Sequence, residues 1–264
     1  MNISTEQSNN QRESFAAVEL LNPSGASPVL LICEHASNFI PHEFSGLGLN
    51  QEAQNSHIAW DPGALGVTRA MSEHLDAQAI VGGISRLVYD CNRPPHAVDA
   101  VPPRSEIFDV PGNVKLSPEQ YQKRVDLCFT PFTEMVSKTL RWSKRSRVLV
   151  TIHSFTPIYK GQSRDTDIGI LHDDDTRLAD EMLGAGSALS SLIVERNKPY
   201  GPEDGVTYTL KAHGMENGLL NVMIEVRNDL IASTDQQIFI AKLLCDMLNH
   251  SLAKLDVISN GEGN

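Results

Sequence analysis

Three stretches of this 264-residue chain place chemically active side chains at the end of a short apolar run. Apolar runs of four or five residues are typical of buried strands. Packing alone gives no reason for an imidazole or a carboxylate at the end of such a strand, so these side chains are candidates for ligand binding or catalysis. They are Glu34 and His35 after residues 29–32, His153 after residues 148–152, and Glu225 and Arg227 at the end of residues 222–226.

Two histidines and a carboxylate are the donor set of a catalytic zinc site. Zinc is held by neutral imidazoles and carboxylate oxygens, and a catalytic site leaves its fourth position open for water or substrate. His35 and His153 would supply the imidazoles, and a further carboxylate near them could hold the water and act as general base. The two histidines are too far apart in the chain for any local metal motif, so their spacing alone is a weak signal.

Each candidate also has a purely structural explanation. A histidine at a strand end is more often a hydrogen-bonded structural group than a ligand. Burying an unpaired Glu225 costs several kcal/mol, so it needs Arg227, another cation or a metal. Arg86 and Arg93 could simply pair with Asp90. The agreement of three strand ends is what favours a shared site.

The order of the predicted elements indicates an α/β fold in three layers, with a mixed, mostly parallel sheet between helices. In open sheets of this kind, ligands bind outside the carboxyl ends of the strands, where the three candidate strand ends would meet. Asp61 followed by Pro62 predicts the start of a helix, with Asp61 as its N-cap. Strands are predicted over residues 28–33, 77–82, 148–152, 168–171, 191–195 and 222–226, with a short one after Ser85, and helices over residues 50–59, 61–75, 117–143, 176–189 and 235–255.

The chain is predicted to form one α/β hydrolytic domain over residues 16–258. A Ser/Asn/Gln-rich arm over residues 1–15 and a short tail over residues 259–264 are expected to be poorly ordered. The proline-rich residues 96–113 are predicted to form an extended loop that covers the substrate.

Charge and cysteine content restrict the partners and the compartment. Lys and Arg number 22 and Asp and Glu 33, a net charge of −11, which argues against nucleic acid or an anionic membrane as the main partner. No apolar stretch reaches the length of a membrane-spanning helix. The four cysteines are widely spaced and predict buried, reduced thiols in a cytoplasmic protein. A small anionic substrate would need local arginines or a metal, and the oligomeric state stays open, homo-oligomers included.

The candidate residues lie in sequence blocks that resemble the N-formylglutamate amidohydrolase family, in the right order over about residues 29–230. The most specific block is Ser-Arg-Leu-Val-Tyr-Asp-Cys-Asn-Arg-Pro at residues 85–94. The resemblance implies a metal-dependent hydrolase of linear amides with a phosphorylase/hydrolase-like fold, similar to the zinc carboxypeptidases and the aspartoacylase group. The other blocks are Cys-Glu-His-Ala-Ser-Asn-Phe-Ile-Pro at 33–41, Trp-Asp-Pro-Gly-Ala at 60–64, Ile-His-Ser-Phe at 152–155 and Ile-Glu-Val-Arg at 224–227.

Carried over residue by residue, the resemblance implies one Zn²⁺ per chain, held by His35 and His153. The carboxypeptidase-like pattern His-x-x-Glu would put the third ligand at position 38, where this chain has Asn38. Asp61 is therefore the first choice for the third ligand, and Glu34 is the second. The other implied roles are general base for Glu225, carbonyl polarisation and substrate binding for Arg93 with Asn92, substrate contact for His213, and a carboxylate clamp from Arg86 or Arg227.

The reaction implied by the resemblance is hydrolysis of N-formyl-L-glutamate to formate and L-glutamate, as in histidine degradation. Within the same class, the substrate could be another N-acyl amino acid or a small peptide-like amide, since Glu34, Asn38 and the Arg104 loop could mark a divergent branch. A different class is a non-catalytic binder of acidic metabolites on the same fold. Metal content and a Glu225→Gln variant separate the two classes.

Overall fold

A seven-stranded mixed sheet runs through the protein. The computed structural model describes residues 16–95, 97–142 and 147–258. The arm and the tail predicted at the two termini lie outside the described residues. The strands of the sheet, in chain order, are β1 (Val18–Leu21), β2 (Val29–Cys33), β3 (Gln78–Gly82), β4 (Val148–Phe155), β5 (Ile168–Leu171), β6 (Val194–Arg196) and β7 (Leu220–Arg227).

Across the sheet the strand order is β1-β3-β2-β4-β7-β5-β6. Strands β3, β2, β4 and β7 are parallel neighbours, and β5 is parallel to β6. The pairs β1–β3 and β7–β5 are antiparallel. The predicted mixed, mostly parallel sheet is confirmed.

The helices lie between the strands along the chain. They are α1 (Gln51–Asn55), α2 (Ala64–Leu75), α3 (Pro118–Arg124), α4 (Thr130–Trp142), α5 (Arg177–Leu189) and α6 (Thr234–Lys254). A π-helical turn, Val125–Phe129, joins α3 to α4, so the single helix predicted over 117–143 is one helical segment with a local widening. Its start is a capping box between Ser117 and Gln120. Short 3₁₀ or π turns span His42–Gly48, Pro111–Asn113, Pro202–Asp204, Leu210–Gly214, Met215–Asn217 and Asn228–Ile231.

Helices cover both faces of the sheet, as strand β2 shows. Successive side chains of a strand point to opposite faces. Val29, Leu31 and Cys33 pack in a core cluster with residues of α2, α5 and α6. Leu30 and Ile32 pack on the other face with residues of α4. Both sets are buried, which is why this strand is continuously apolar, and the three-layer α/β/α prediction is confirmed.

Among the strands, the prediction missed one and placed one where none forms. Strand β1 was not predicted, because its short Val-Glu-Leu-Leu sequence is only partly buried and is ordered by antiparallel pairing with β3. The strand predicted after Ser85 is wrong: residues 86–88 form a turn, and the amide of Asp90 donates to the carbonyl of Ala100. The apolar side chains there pack in a separate cluster beneath the loops rather than in the sheet.

Within the described residues, no helix has both the length and the apolar character that crossing a bilayer requires.

Candidate active site

The three candidate strand ends meet at one edge of the sheet. Strands β2, β4 and β7 are adjacent and parallel, so their carboxyl ends lie side by side. β4 and β7 run further than predicted, to Phe155 and Arg227. His153 and Glu225 are register partners across these two strands, and His35 follows β2 by two residues. A carboxylate and two imidazoles are thereby brought together from distant parts of the chain.

Two histidines and Asp61 form a buried triangle of donor atoms at this edge. Nδ1 of His35 lies 3.2 Å from Nδ1 of His153. Oδ2 of Asp61 lies 3.3 Å from the first of these nitrogens and 2.9 Å from the second. All three side chains are buried. The structure therefore brings together the three residues predicted as metal ligands.

Asp61 reaches the triangle because α2 begins later than predicted. The N-cap of α2 is Gly63, in the left-handed region at φ 85°, so the prediction of Asp61 as N-cap is wrong. The Asp61 amide donates to the carbonyl of His35 at 2.9 Å. Its Oδ2 accepts from the amide of Ser154 at 3.3 Å. These bonds to both strand ends turn the carboxylate toward the imidazoles rather than toward the helix.

Each histidine also contacts a further carboxylate through Nε2, the ring nitrogen that is not part of the triangle. Asp90 Oδ1 lies 2.7 Å from Nε2 of His35, and Glu34 Oε2 lies 3.2 Å from Nε2 of His153. Carboxylates in this position fix the orientation of a metal-binding imidazole and raise its basicity. Glu34, the second choice for third ligand, thus lies behind His153 rather than in the triangle. Asn38 is turned away and bonds to Gln54 at 3.2 Å.

The donor triangle fits zinc in chemistry and in size. A tetrahedral zinc with bonds of about 2.0–2.1 Å has donor–donor separations of about 3.3 Å, and the observed edges are 2.9, 3.2 and 3.3 Å. Both imidazoles present the same nitrogen, Nδ1, and leave Nε2 to a carboxylate. Within the described part of the chain, His35, Asp61 and His153 form a cluster whose donor atoms lie close enough together to hold one metal ion.

The electrostatic field at the triangle favours a cation. Burial by itself lowers the pKa of His153, but the adjacent Glu34 and Asp61 outweigh it and raise this pKa well above its ordinary value. Burial by itself would likewise lower the pKa of His35, but Asp90 and Asp61 outweigh it and raise this pKa. The carboxylates that draw protons onto the imidazoles would equally attract a metal ion. They are Glu34, Asp61 and Asp90, all buried.

Glu225 is placed and perturbed as a general base would be. It is 5% exposed, and its Oε2 has no hydrogen-bond partner among the described residues. Burial raises the pKa of Glu225 to about 7; the charge of Asp61 adds to this shift and that of His153 opposes it. A carboxyl with a pKa near neutrality can both accept and return a proton at physiological pH.

A cavity of about 410 Å³ opens over these groups. The predicted covering loop supplies part of its wall, and a hairpin of Arg104–Ser105 and Phe108–Asp109 lies within that loop. His57 Nε2 contacts Glu106 Oε2 of this hairpin at 2.8 Å. Most of the side chains in the cavity wall are polar. It includes His35, Asp61, Arg86, Asp90, Asn92, Arg93, Asp99, Arg104, Glu106, His153, Phe155, Tyr159, Tyr200 and Glu225.

Arg86 lines the cavity, but its guanidinium is committed to the carboxylates around the triangle. Nη1 donates to Asp61 at 3.3 Å, and Nη2 donates to Asp90 at 2.8 Å. Burial by itself would lower the pKa of Arg86, but the charges of Asp90 and Asp61 outweigh it and raise this pKa. Arg86 therefore orients the metal-site carboxylates from the cavity wall, and its predicted substrate contact stays a prediction.

Asn92 and Arg93 also line the cavity, and they differ in what they can offer a substrate. The Asn92 amide bridges two loop positions, donating to Val206 at 2.6 Å and accepting from the amide of Thr209 at 3.0 Å. Arg93 donates from Nε to Asp99 at 2.6 Å. Asn92 thus anchors the neighbouring loop, while Arg93 keeps a guanidinium edge at the cavity.

Two predicted substrate residues lie outside the cavity wall. Arg227 is held in ion pairs with Asp167 at 2.9 Å and Asp229 at 2.8 Å. As the last residue of β7, it is drawn to these loop carboxylates instead of the site. His213 is buried in a π-helical turn, and burial lowers its pKa. Neither residue is positioned by the structure to contact a substrate in the cavity.

Tyr200 is a residue of the site that the sequence did not reveal. It lines the cavity, and burial together with the charge of Glu225 raises the pKa of its phenol, which stays a hydrogen-bond donor. It lies in an irregular loop with no chemical motif around it, so no sequence signal distinguished it. Cys33, close to His35 in the chain, is fully buried, and burial raises its pKa, which leaves no reactive thiolate there. All four cysteines are free, as predicted.

Comparisons with known proteins identify the family and the fold. A model of the N-formylglutamate amidohydrolase family matches residues 27–232. Gene product Atu2144 from Agrobacterium tumefaciens is 48% identical over 91% of this chain and 96% of its own, with a TM-score of 0.88. N-formylglutamate amidohydrolase from Ralstonia eutropha JMP134 shares the fold, with a TM-score of 0.58, 18% identity and coverage of 93% and 99%. A comparison with curated proteins found no match.

The family match extends over most of the chain and contains every residue of the donor triangle together with Glu225. The chain belongs to the N-formylglutamate amidohydrolase family and is a hydrolase of amide bonds.

Proposed function

We propose that this protein is a zinc-dependent amidohydrolase that cleaves N-formyl-L-glutamate to formate and L-glutamate. The observation that carries the proposal is the buried triangle of His35, Asp61 and His153, with Glu225 beside it in the same cavity. The triangle would hold one Zn²⁺ per chain through two imidazole nitrogens and one carboxylate oxygen. Bound zinc supplies a Lewis acid that polarises a carbonyl and makes water nucleophilic at neutral pH.

Glu225 moves the proton in this reaction. Its unpartnered Oε2 takes a proton from the attacking water as the new C–O bond forms at the acyl carbon. The same oxygen then delivers that proton to the amine nitrogen when the C–N bond breaks. In the metal-free protein burial raises the pKa of Glu225 to about 7, so this carboxyl can hold a proton as well as give it up. The products are a carboxylic acid and a free amine, which balances the water consumed.

Arg93 is the cavity residue suited to stabilise the charge that develops on the acyl oxygen. Its Nε is oriented by Asp99, and its Nη1 donates to the backbone carbonyl of Asn92 at 3.0 Å. These two bonds hold the guanidinium in place, so little reorganisation is needed when the carbonyl oxygen becomes negative.

The choice of substrate rests on the family and on the charge of the cavity. The family match names N-formylglutamate, a dianion, and the protein as a whole carries a charge of −11. Arg93 and Arg104 are cations of the cavity wall that a dianion would meet there, although each is paired with one aspartate. We further propose a cytoplasmic location, which four free, widely spaced cysteines support.

The proposal is tested by purifying the protein with one equivalent of Zn²⁺ and measuring amine release from N-formyl-L-glutamate. A His153→Ala variant should lose both the metal and turnover. Glu225→Gln should keep the metal and lose turnover. The matched control is His74→Ala, at an exposed histidine of α2 remote from the triangle, and it should change neither.

Each outcome has one meaning. Tight zinc binding without turnover would move the substrate to another N-acyl amino acid, and a panel of N-formyl and N-acetyl amino acids would identify it. Failure of the wild type to hold zinc would overturn the mechanism. Ligand binding that persists in both site variants would indicate a binding protein instead of an enzyme.

A further inference from the structure

Arg124 is a buried arginine whose guanidinium has no carboxylate partner among the described residues. It is the last residue of α3 and is 3% exposed. Its Nη1 donates to the carbonyl of Val88 at 3.1 Å and to Oδ1 of Asn113 at 2.6 Å, and its Nη2 donates to the carbonyl of Gly112 at 2.7 Å. The ring centre of Phe44 lies 5.1 Å from the guanidinium carbon. Burying a charge without a counter-ion is costly, so packing alone does not explain an arginine here.

Asn113 extends this set of bonds to a second pair of carbonyls. It is buried, and its Nδ2 donates to the carbonyls of Leu87 and Pro102, each at 2.9 Å. Because its Oδ1 accepts from Arg124, both polar atoms of the Asn113 side chain are bonded. The two side chains, here called the Arg124–Asn113 hub, thus bind backbone oxygens from two separate segments of the chain.

The first segment bound by the hub is the turn between Arg86 and Asp90. The carbonyls that the hub binds there belong to residues 87 and 88, which lie between these two side chains in the chain. Arg86 contacts the donor triangle through Asp61 at 3.3 Å, and Asp90 contacts it through His35 at 2.7 Å. A displacement of this turn would therefore move a guanidinium and a carboxylate away from the metal site together.

The second segment bound by the hub is the covering loop. Pro102 precedes the hairpin strands of this loop, and Gly112 follows them. Arg104 and Glu106 of the hairpin line the cavity. Because one guanidinium and one amide bind both segments, the same buried group fixes the covering loop relative to the turn that supports the donor triangle.

We propose that Arg124 and Asn113 are positioning residues for the metal site, which hold Asp90 and Arg86 against the donor triangle without touching it themselves. The inference rests on the proposed function for the role of the metal. It assigns control of zinc affinity to two side chains outside the cavity wall. An arginine is suited to this role because its planar fork of donors can bind oxygens of separate segments at once.

The test uses two hub variants and one control. Arg124→Met removes the charge and its three hydrogen bonds. Asn113→Ala removes the bonds to Leu87 and Pro102 but leaves Arg124 its two carbonyls, and it serves if the first variant fails to fold. The control is Leu248→Ala, which creates a cavity in the core around α6 and lowers stability there. Leu248 belongs to a different apolar cluster from the one beneath the two loops.

Two quantities are measured on each folded variant. Zinc affinity, from competition with a chelator, should fall about tenfold in both hub variants, at the lower end of the loss expected when an orienting carboxylate is removed. It should keep the wild-type value in Leu248→Ala. In the metal-free protein, amide hydrogen exchange over residues 85–94 should become faster in the hub variants than in Leu248→Ala.

A folded hub variant with wild-type zinc affinity would overturn the inference. An equal loss of affinity in Leu248→Ala would overturn it as well, because the effect would then come from general stability. If the wild type holds no zinc, the proposed function fails by itself, and the exchange measurement decides the inference. Faster exchange over residues 85–94 in the hub variants would support the positioning role, and unchanged exchange would overturn it.

Discussion

Replacing Asp90 with asparagine should weaken metal binding at the donor triangle although Asp90 is not part of it. Asp90 Oδ1 lies 2.7 Å from Nε2 of His35, and its Oδ2 accepts from Arg86 at 2.8 Å. Asparagine keeps the shape but removes the charge. Its NH₂ group would also face a donor, either the imidazole N–H or the guanidinium.

The expected magnitude follows from the burial of this contact. Both side chains of the His35–Asp90 pair are at most 5% exposed, so water does not screen the lost charge. Removing a carboxylate that orients a metal-bound histidine typically lowers metal affinity about 10- to 100-fold, which is about 1.4–2.7 kcal/mol. Arg86 adds to the effect, because with Asp90 neutral its charge would be balanced by Asp61 alone.

The assay is a competition titration of Zn²⁺ against a chromophoric chelator. Asp99→Asn is the matched control, because it removes one negative charge from the same cavity wall without touching either histidine, and its side chain is 59% exposed. Wild-type affinity in Asp90→Asn would refute the reasoning. Equal weakening in the two variants would also refute it, since the effect would then come from net charge and not from orientation of His35.

Three further predictions concern Glu225 and Gly63. Glu225→Gln should bind Zn²⁺ as the wild type does but lose about 10²- to 10⁴-fold in kcat, and a loss in KM alone would contradict its role as general base. In the metal-free protein the pKa of Glu225 is raised, so between pH of about 4.5 and about 7 the folded state keeps a proton on this carboxyl that the unfolded state has lost. The contribution of Glu225 to the free energy of unfolding therefore falls as pH rises through this range. Between pH 5 and 8, the difference in unfolding free energy between wild type and Glu225→Gln should thus shift against the wild type by up to about 3 kcal/mol in urea titrations, and a constant difference would rule this out. Gly63→Ala should lower Tm and zinc affinity together, because a Cβ at φ 85° would lie 2.5 Å from the carbonyl oxygen of Ile231 and displace the start of α2 next to Asp61. Gly161→Ala carries similar backbone strain without any clash, so an equal effect there would contradict this explanation.

The residues that follow apolar strands were predictable because burial dictates their local sequence. A fully buried parallel strand must be continuously apolar, so the polar residues that end it stand out. His35, His153 and Glu225 were found in this way. The family resemblance added Asp61, which no periodicity pointed to as a ligand.

Residues whose roles depend on long-range partners were harder to predict. Arg86 and Asn92 lie in the cavity wall, where Arg86 donates to Asp61 and Asp90 and Asn92 bonds to Val206 and Thr209. Arg227 is two residues after Glu225 on β7 and is paired with Asp167 outside the cavity wall. A sequence shows that an arginine is present, but the partner of its guanidinium depends on which loops fold beside it.

By itself, the sequence determined the alternation of strands and helices, the burial of the strands and the chemical types available at their ends. These are local properties, set by the period of the apolar residues and by the neighbours of each one. Only the tertiary structure decided that Asp61 joins the triangle while Glu34 stands behind His153. The same is true of Tyr200, which reaches the cavity from an irregular loop. Which of several nearby carboxylates or arginines is free to bind depends on distances of a few ångströms between segments far apart in the chain, and these are set by the packing of the whole fold.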